Sequence, residues 1–116
     1  MGTRVSRREQ LRRVEDYLEK CYLRESSPRV SELARLLGVS RSNLVETFRR
    51  VAGTTLSQYL KDRQVAAARL LLSNTSLSVT QVGYRVGFGT RRTFFREFRK
   101  RTGMTPGQHR AATKCP

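Results

Sequence analysis

The sequence predicts an all-α fold: seven helices arranged as two homeodomain-like helix-turn-helix lobes joined by a long central helix. Three observations lead there. Apolar residues recur at helical spacing through most of the chain, and no segment alternates with the period of two that a half-buried strand needs. The chain also repeats itself. Val30, Leu33, Ala34, Leu37, Gly38 and Val39 return forty-nine residues later as Val79, Val82, Gly83, Val86, Gly87 and Phe88. After one inserted residue, Leu44, Phe48, Arg49, Arg50, Gly53, Thr55 and Gln58 return at a shift of fifty as Phe94, Phe98, Arg99, Lys100, Gly103, Thr105 and Gln108. Finally, each copy reads as a short helix, a Gly-containing turn and a second helix with a basic outer face.

The first helix is expected to start at Ser6, with Glu9 as its capping-box partner. Leu11, Val14, Tyr17, Leu18 and Cys21 form its apolar stripe, and Arg12, Arg13, Glu15, Asp16, Glu19 and Lys20 its other face. Ser26-Ser27-Pro28 breaks the chain. A support helix over about 30–37 ends at Gly38, in a left-handed conformation that suits a residue without Cβ. Ser40 caps a helix over about 41–51, with Leu44, Phe48 and Val51 inward. Thr54 and Thr55 offer the next cap, with Gln58 placed for a box. The long helix over about 56–72 has Leu56, Tyr59, Leu60, Ala67, Leu70 and Leu71 as its apolar side. It spans roughly 25 Å at ~1.5 Å per residue and reads as a spacer holding the two copies apart. Ser73-Asn74-Thr75-Ser76 ends it.

The second copy opens with Ser78 as N-cap and Gln81 as its box partner, on a helix over about 79–85. Gly87-Phe88-Gly89 is the turn, Thr90 the next cap, and a helix covers about 91–101. Thr105-Pro106-Gly107-Gln108 starts a last short helix, with Pro where a missing N–H costs nothing. From Ala111 the chain reads as a frayed basic tail. The expected division is a first lobe over 6–55, a linker helix over 56–73 and a second lobe over 74–112.

Lys and Arg number 24 against 9 acids, a formal charge of +15. Residues 1–58 carry 12 basic and 7 acidic residues, net +5, and residues 59–116 carry 12 and 2, net +10. A field of that sign attracts a polyanion. Twenty of the 24 cations are Arg, whose fork suits phosphates and guanine edges. Cys21 and Cys115 match neither a metal spacing nor a disulfide framework and read as reduced cytoplasmic thiols. No apolar run approaches the ~20 residues of a membrane span, and MGTRVSRREQ lacks the apolar core of a signal peptide. One histidine, His109, is too few for a nucleophile–base–carboxylate set. No Gly-rich phosphate loop or metal cluster is present, so neither catalysis, a metal nor a cofactor is expected.

The helical advance of 100° per residue separates inward from outward positions. With Leu44 and Phe48 inward, Ser42, Glu46 and Arg49 point out, and Arg41 and Asn43 lie in the exposed first turn. With Phe94 and Phe98 inward, Arg92, Arg96 and Arg99 point out, and Arg91 lies in the first turn. The first half of a recognition helix reaches base edges. The base-reading candidates are therefore Arg41, Ser42, Asn43 and Glu46 in one copy and Arg91, Arg92 and Arg96 in the other. Arg49, Arg50, Arg99, Lys100 and Arg101 lie one or two turns further on and suit phosphates, as do the starts of the two support helices. Phe48, Phe88, Phe94 and Phe98 fall inward as core, and His109 reads as packing on the last helix. Phe95 falls to one side, where it would pack on the last helix, touch a thymine methyl or face a partner.

From about 6 to 110 the chain resembles the AraC/XylS family of bacterial transcription regulators. The resemblance is carried by Leu33-Ala34, Gly38-Val39-Ser40, Leu44, Phe48-Arg49, Gly53, Leu60, Arg63 and the run from Ala67 to Leu71. It continues through Gly87-Phe88, Thr90, Phe94, Arg96, Phe98-Arg99-Lys100, Gly103, Thr105-Pro106 and Arg110. It implies a seven-helix region binding double-stranded DNA through two helix-turn-helix lobes. It implies activation more often than repression, a cytoplasmic, nucleoid-associated location, RNA polymerase as a partner, and an effector or dimerisation domain outside this chain. Three positions depart from the family pattern. Gly83 replaces the usual Ala and is expected to weaken its helix by up to ~1 kcal/mol. Thr93 and Phe95 exchange the usual aromatic-then-small order around Phe94, and His109 stands where Tyr is common. The alternative reading is a non-specific DNA architectural protein, which outward Asn43, Ser42 and Glu46 disfavour, since an acid on a packing surface is wasted.

Overall fold

Local capping chemistry decides where the helices begin and end. The computed structural model describes residues 7–113. In order they form α1 (Arg7–Arg24), α2 (Val30–Leu37), α3 (Arg41–Ala52), α4 (Leu56–Asn74), α5 (Val79–Arg85), α6 (Arg91–Thr102) and α7 (Pro106–Thr113), with no strand among the described residues. The Ser6 cap lies outside the described residues; Glu9 sits in the first turn of α1. Gly38 closes α2 in the left-handed region at φ 72°. At α5 the Ser78 side chain accepts from the Gln81 N–H at 3.1 Å, and Gln81 Oε1 accepts from the Ser78 N–H at 2.8 Å, the complete box. Thr105 and Gln108 make the same pair of bonds at α7, at 3.1 and 3.0 Å.

Two local expectations change, and one helix start is met by a residue with no capping side chain. Gln58 makes no box with Thr55; its side-chain oxygen accepts from Arg101 of α6 instead. The N-cap of α2 is Arg29, whose side chain does not cap. Its N–H donates to the Tyr17 hydroxyl at 2.8 Å, and that hydroxyl donates to Glu32 Oε1 at 2.6 Å. Burial and the Glu32 carboxylate push the Tyr17 phenol well above its usual range, so it stays a neutral donor. Residues 111–113, read as tail, continue α7: Thr113 Oγ1 donates to the His109 carbonyl at 2.9 Å and bonds Ser73 at 3.1 Å.

Two cores form on opposite ends of α4. The first gathers Val14, Tyr17, Leu18 and Cys21 with Leu33, Ala34, Leu44, Phe48, Leu56 and Leu60. The second gathers Val65, Ala68 and Leu72 with Val82, Val86, Phe88, Phe94 and Phe98. Each fully buried ring contributes about 1.5–3 kcal/mol relative to exposure. The buried positions of α4 step by four, through Leu56, Leu60, Gln64, Ala68 and Leu72. Each step advances the face by about 40°, so the stripe winds roughly 160° between the two ends. Leu70, expected on the apolar side, is consequently 65% exposed.

The lobes also touch directly. The loop between α1 and α2 lies on the turn between α5 and α6. A Cβ on Gly87 (φ 92°) would sit 3.0 Å from the Ser26 carbonyl oxygen and 3.1 Å from Pro28 Cδ. Buried Gln64 donates to the Val86 carbonyl at 3.1 Å, and Arg85 pairs with Glu25 at 3.6 Å. α4 is therefore more than a spacer, and the molecule measures 56 × 25 × 21 Å.

Gly83 has a packing reason. A Cβ there would lie 2.6 Å from Phe94 Cδ2, so α5 crosses α6 at a distance that this ring leaves free only for glycine. Ala34 and Leu44 occupy the corresponding positions in the first copy, a larger support residue opposite a smaller partner. Gly83→Ala is expected to lose about 1–3 kcal/mol to overpacking, in spite of the ~1 kcal/mol that Ala gains in helix propensity. Combining it with Phe94→Leu should cost less than the two single changes added together. Chemical denaturation of the four proteins measures the coupling, and a stabilised Gly83→Ala chain would refute the clash.

His109 is buried, with its ring edge-on to Phe98 at 5.5 Å and its Nε2 without a partner among the described residues. Burial first, then the charge of Arg69, holds its pKa below the ordinary 6.5, while a bond to the Arg69 backbone opposes them. The unfolded chain therefore takes the proton first as pH falls. Stability is fully present above about pH 6.5 and declines as pH drops toward the folded value. The melting temperature should fall between about pH 7.5 and 5.5, and His109→Phe should flatten that dependence.

Candidate nucleic-acid interface

The second helix of each pair is seated by two aromatic or aliphatic anchors and presents the opposite face to solvent. Leu44 and Phe48 anchor α3, and Phe94 and Phe98 anchor α6, all buried. Ser40 Oγ accepts from the Asn43 N–H at 3.0 Å, and Thr90 Oγ1 from the Thr93 N–H at 3.1 Å. These caps fix the first turns, where Arg41, Ser42, Asn43, Arg91 and Arg92 are exposed. Arg41, Ser42, Asn43 and Glu46 are exposed on α3, and Arg91, Arg92 and Arg96 on α6. Further along, Arg49, Arg50, Arg99 and Lys100 are exposed in the last turns, where a cation also complements the helix dipole. None of those four is ion-paired among the described residues.

Arg101 departs from the expected phosphate set. Its side chain is only 11% exposed and turns inward. Nε donates to Asp62 Oδ1 at 2.6 Å, Nη1 to Glu97 Oε1, and Nη2 to Gln58 Oε1. Position 101 lies one turn beyond Glu97 and faces α4, so its charge is spent on joining α6 to α4. The sequence carried a signal for this: Glu97 and Arg101 are four apart on one helix, as are Gln58 and Asp62 on another. A basic run read as a unit concealed it.

Two other side chains, unassigned or unnoticed in the sequence, bear on the exposed arginines. Arg91 stacks over the Phe95 ring, 4.5 Å from its centroid. Arg96 Nε lies 3.5 Å from Oε2 of buried Glu97. Phe95 itself is partly buried against the second core, in edge contact with Phe94. The starts of the support helices are less open than expected. Tyr17 takes the Arg29 N–H at α2, and the capping box takes two N–H groups at α5. Among the described residues there is no group of His, Cys, Asp and Glu able to hold a metal. No helix there is long and apolar enough to cross a membrane.

A helix-turn-helix domain family model matches residues 33–112, most of the chain. The chain belongs to the AraC/XylS family of transcription regulators. It is 33% identical over 90 residues to the arabinose operon regulatory protein of Escherichia coli, covering 78% of this chain and 31% of that protein. It is 29% identical over 98 residues to the virulence regulon transcriptional activator VirF of Yersinia enterocolitica, covering 84% and 35%. The chain thus spans about a third of the length of these relatives. Among solved structures, the C-terminal domain of AraT, a response regulator of Geobacillus stearothermophilus, superposes with a TM-score of 0.84 at 26% identity, covering 98% of this chain and 92% of that one. The DNA-binding domain of AdpA, solved in complex with a target DNA, superposes at 0.79 and 29% identity, covering 89% and 90%. The seven-helix fold is the family's AraC-type domain.

Arg101→Ala should act on stability. It leaves the Glu97 carboxylate in a buried site with only Arg96 nearby, and should cost about 3 kcal/mol in chemical denaturation, the low end for a broken buried pair because Asp62 remains solvated. Lys100→Ala, one residue away and exposed, should change the denaturation midpoint by no more than about 0.5 kcal/mol.

Proposed function

We propose that this chain binds double-stranded DNA in a sequence-specific manner, as the DNA-reading module of a bacterial transcription regulator. The observation that carries this reading is the pair of exposed, capped helices α3 and α6, held in one frame by the seat of the α1–α2 loop on the second turn. α3 and α6 are the recognition helices and enter successive major grooves, about 34–36 Å apart along the duplex. The 56 Å long axis leaves room for that spacing.

Arg41, Ser42, Asn43 and Glu46 read bases for the first lobe, Glu46 by accepting from a cytosine amine. Arg91, Arg92 and Arg96 read them for the second, through the N7 and O6 of guanine. Arg49, Arg50, Arg99 and Lys100 bind phosphates and set the register. The two lobes and the linker between them divide at 6–55, 56–73 and 74–112. The outward carboxylate of Glu46 favours this reading over a non-specific architectural protein, because it repels phosphates and is useful only against a base edge. Activation of transcription, contact with RNA polymerase, an effector or dimerisation domain beside this module and a nucleoid location complete the proposal; relatives such as VirF, by name an activator, support the first.

A footprint of the isolated chain should cover two successive major grooves on one face of the duplex, over about two helical turns. Binding should weaken with salt at a log–log slope of about −5 to −7, for ~6–8 neutralised phosphates. Arg49→Ala or Arg99→Ala should each flatten the slope by about one while preserving the sequence preference. A footprint confined to a single groove, or equal affinity for preferred and random duplexes, would contradict the reading.

A further inference from the structure

The three outward arginines near the start of α6 are not held alike. Arg91 lies over the ring of Phe95, 4.5 Å from its centroid. Phe95 meets Phe94 edge-on, centroids 6.0 Å apart at 86°, and Phe94 is fully buried. Arg96 directs Nε to Glu97 Oε2 at 3.5 Å. The other oxygen of Glu97 takes Arg101 Nη1, and Arg101 Nε is bound to Asp62 of α4 at 2.6 Å. Arg92 has no partner of either kind among the described residues. Two lines of contact thus run from fixed parts of the lobe to two exposed guanidinium groups. One passes from the core through Phe94 and Phe95 to Arg91. The other passes from α4 through Arg101 and Glu97 to Arg96.

Each holder engages a part of the guanidinium that base reading does not need. The Phe95 ring attracts the charge of Arg91 without accepting a conventional hydrogen bond, so the N–H donors stay available. Glu97 faces the Nε of Arg96 and leaves the two terminal Nη groups, whose outer N–H donors fit guanine O6 and N7. An arginine already held has less rotamer freedom to lose on binding than a free one. Neighbours on a helix do not normally face each other, so the Arg96–Glu97 contact requires the Arg96 side chain to fold back. What keeps it there is a carboxylate that is itself fixed by Arg101.

The geometry points to Phe95 and Glu97 as positioning residues for sequence discrimination: Phe95 sets Arg91 and Glu97 sets Arg96, so that these two arginines, more than Arg92, carry the base preference of the second lobe. This rests on α6 being a recognition helix. It also gives a role to the unusual aromatic at 95, whose ring is a platform for Arg91.

The test uses the whole chain and a preferred duplex selected from a random library, with a scrambled duplex as reference. Single base-pair changes through the preferred site give a profile of penalties. Arg91→Ala and Arg96→Ala should each erase the penalty at one position, a different one for each. Phe95→Leu, which keeps the apolar packing and removes the aromatic face, should shrink the penalty at the Arg91 position by about threefold. Glu97→Gln should shrink it at the Arg96 position by about three- to tenfold and change nothing further in an Arg96→Ala background. Affinity for the scrambled duplex should hold within about twofold throughout. Thermal unfolding checks each variant. If Glu97→Gln unfolds too readily to assay, Phe95→Leu leaves the Glu97–Arg101 clamp intact and decides the matter for its own arginine. An even loss over all positions and on the scrambled duplex would make both residues merely structural and overturn the inference while α6 remains the reader. A larger positional loss from Arg92→Ala than from the other two would overturn it as well. If no α6 arginine alters the profile, α6 does not read bases, and both the recognition-helix reading and this inference fall.

Discussion

The relation between the two lobes depends on one seat, where the α1–α2 loop rests on the α5–α6 turn. A single helix such as α4 would leave its two ends free to bend and twist against each other. Here a second connection closes the frame. The chain leaves α1 through Glu25, a non-glycine residue at φ 51°, with the Ser26 N–H bonded to the Cys21 carbonyl at 2.9 Å. That backbone costs about 1–2 kcal/mol. It delivers the Ser26 carbonyl and Pro28 to within about 3 Å of where a Gly87 side chain would begin. Gly87 is doubly constrained, by its left-handed φ and by this approach, so no other residue fits both demands. Gln64 then ties the same turn to the middle of α4. With the frame closed at three points, α3 and α6 hold one phase, and under the proposed reading it is the duplex that must adjust to them.

Within the second lobe, the scarce acids show how the positive surface is organised. Residues 59–116 contain two acids, Asp62 and Glu97, and both bind Arg101. A buried pair contributes little net stability, since desolvation offsets most of the attraction. What it does contribute is placement. The guanidinium-rich surface of α6 would repel itself if all six of its cations faced one way. Turning Arg101 inward removes one of them from that surface and anchors the end of α6 to α4 near the start of the long helix. Tyr59, whose phenol burial pushes up to about 12, plays the matching part in the first lobe by donating to Glu15 of α1 at 2.7 Å.

Helix ends were legible in the sequence because capping is local. Gly38, Ser40, Ser78 with Gln81, and Thr105 with Gln108 act on N–H and C=O groups within four residues, so α2 ends at Gly38 and α3, α5 and α7 begin where Ser40, Ser78 and Thr105 place them. Outward faces of α3 and α6 were legible for the same reason, through the 100° advance. The failures share a different cause. Gln58 was misread because its partner Arg101 lies 43 residues away in sequence, and Arg101 because its ties to α4 are that distant while its near partner Glu97 was hidden in a basic run. Leu70 was misplaced because one winding stripe serves two cores, so no single face of α4 is apolar throughout. The Tyr17 substitute for a cap joins residues twelve apart, and the inter-lobe seat joins three segments with no shared period. Glu97 was passed over because an acid amid Arg residues reads as a solvated charge until its burial is known.

The repeat itself shows where constraint acts. The two copies agree where side chains touch, and the differences there are compensated: Ala34 with Leu44 in one, Gly83 with Phe94 in the other, small and large exchanged so that the helices still cross. They part on outward faces, away from either core. Ser42 and Asn43 stand opposite Arg92 and Thr93, and Glu46 stands opposite Arg96, a reversal of charge at one outward position. Packing would have tolerated equal residues there, since none is needed by the core. A chain that kept two copies merely to hold a polyanion would have no physical reason to place a carboxylate where its twin places a guanidinium. Contacts inside the molecule account for the shared frame, and under the proposed reading the outward residues differ because each copy meets a different stretch of DNA.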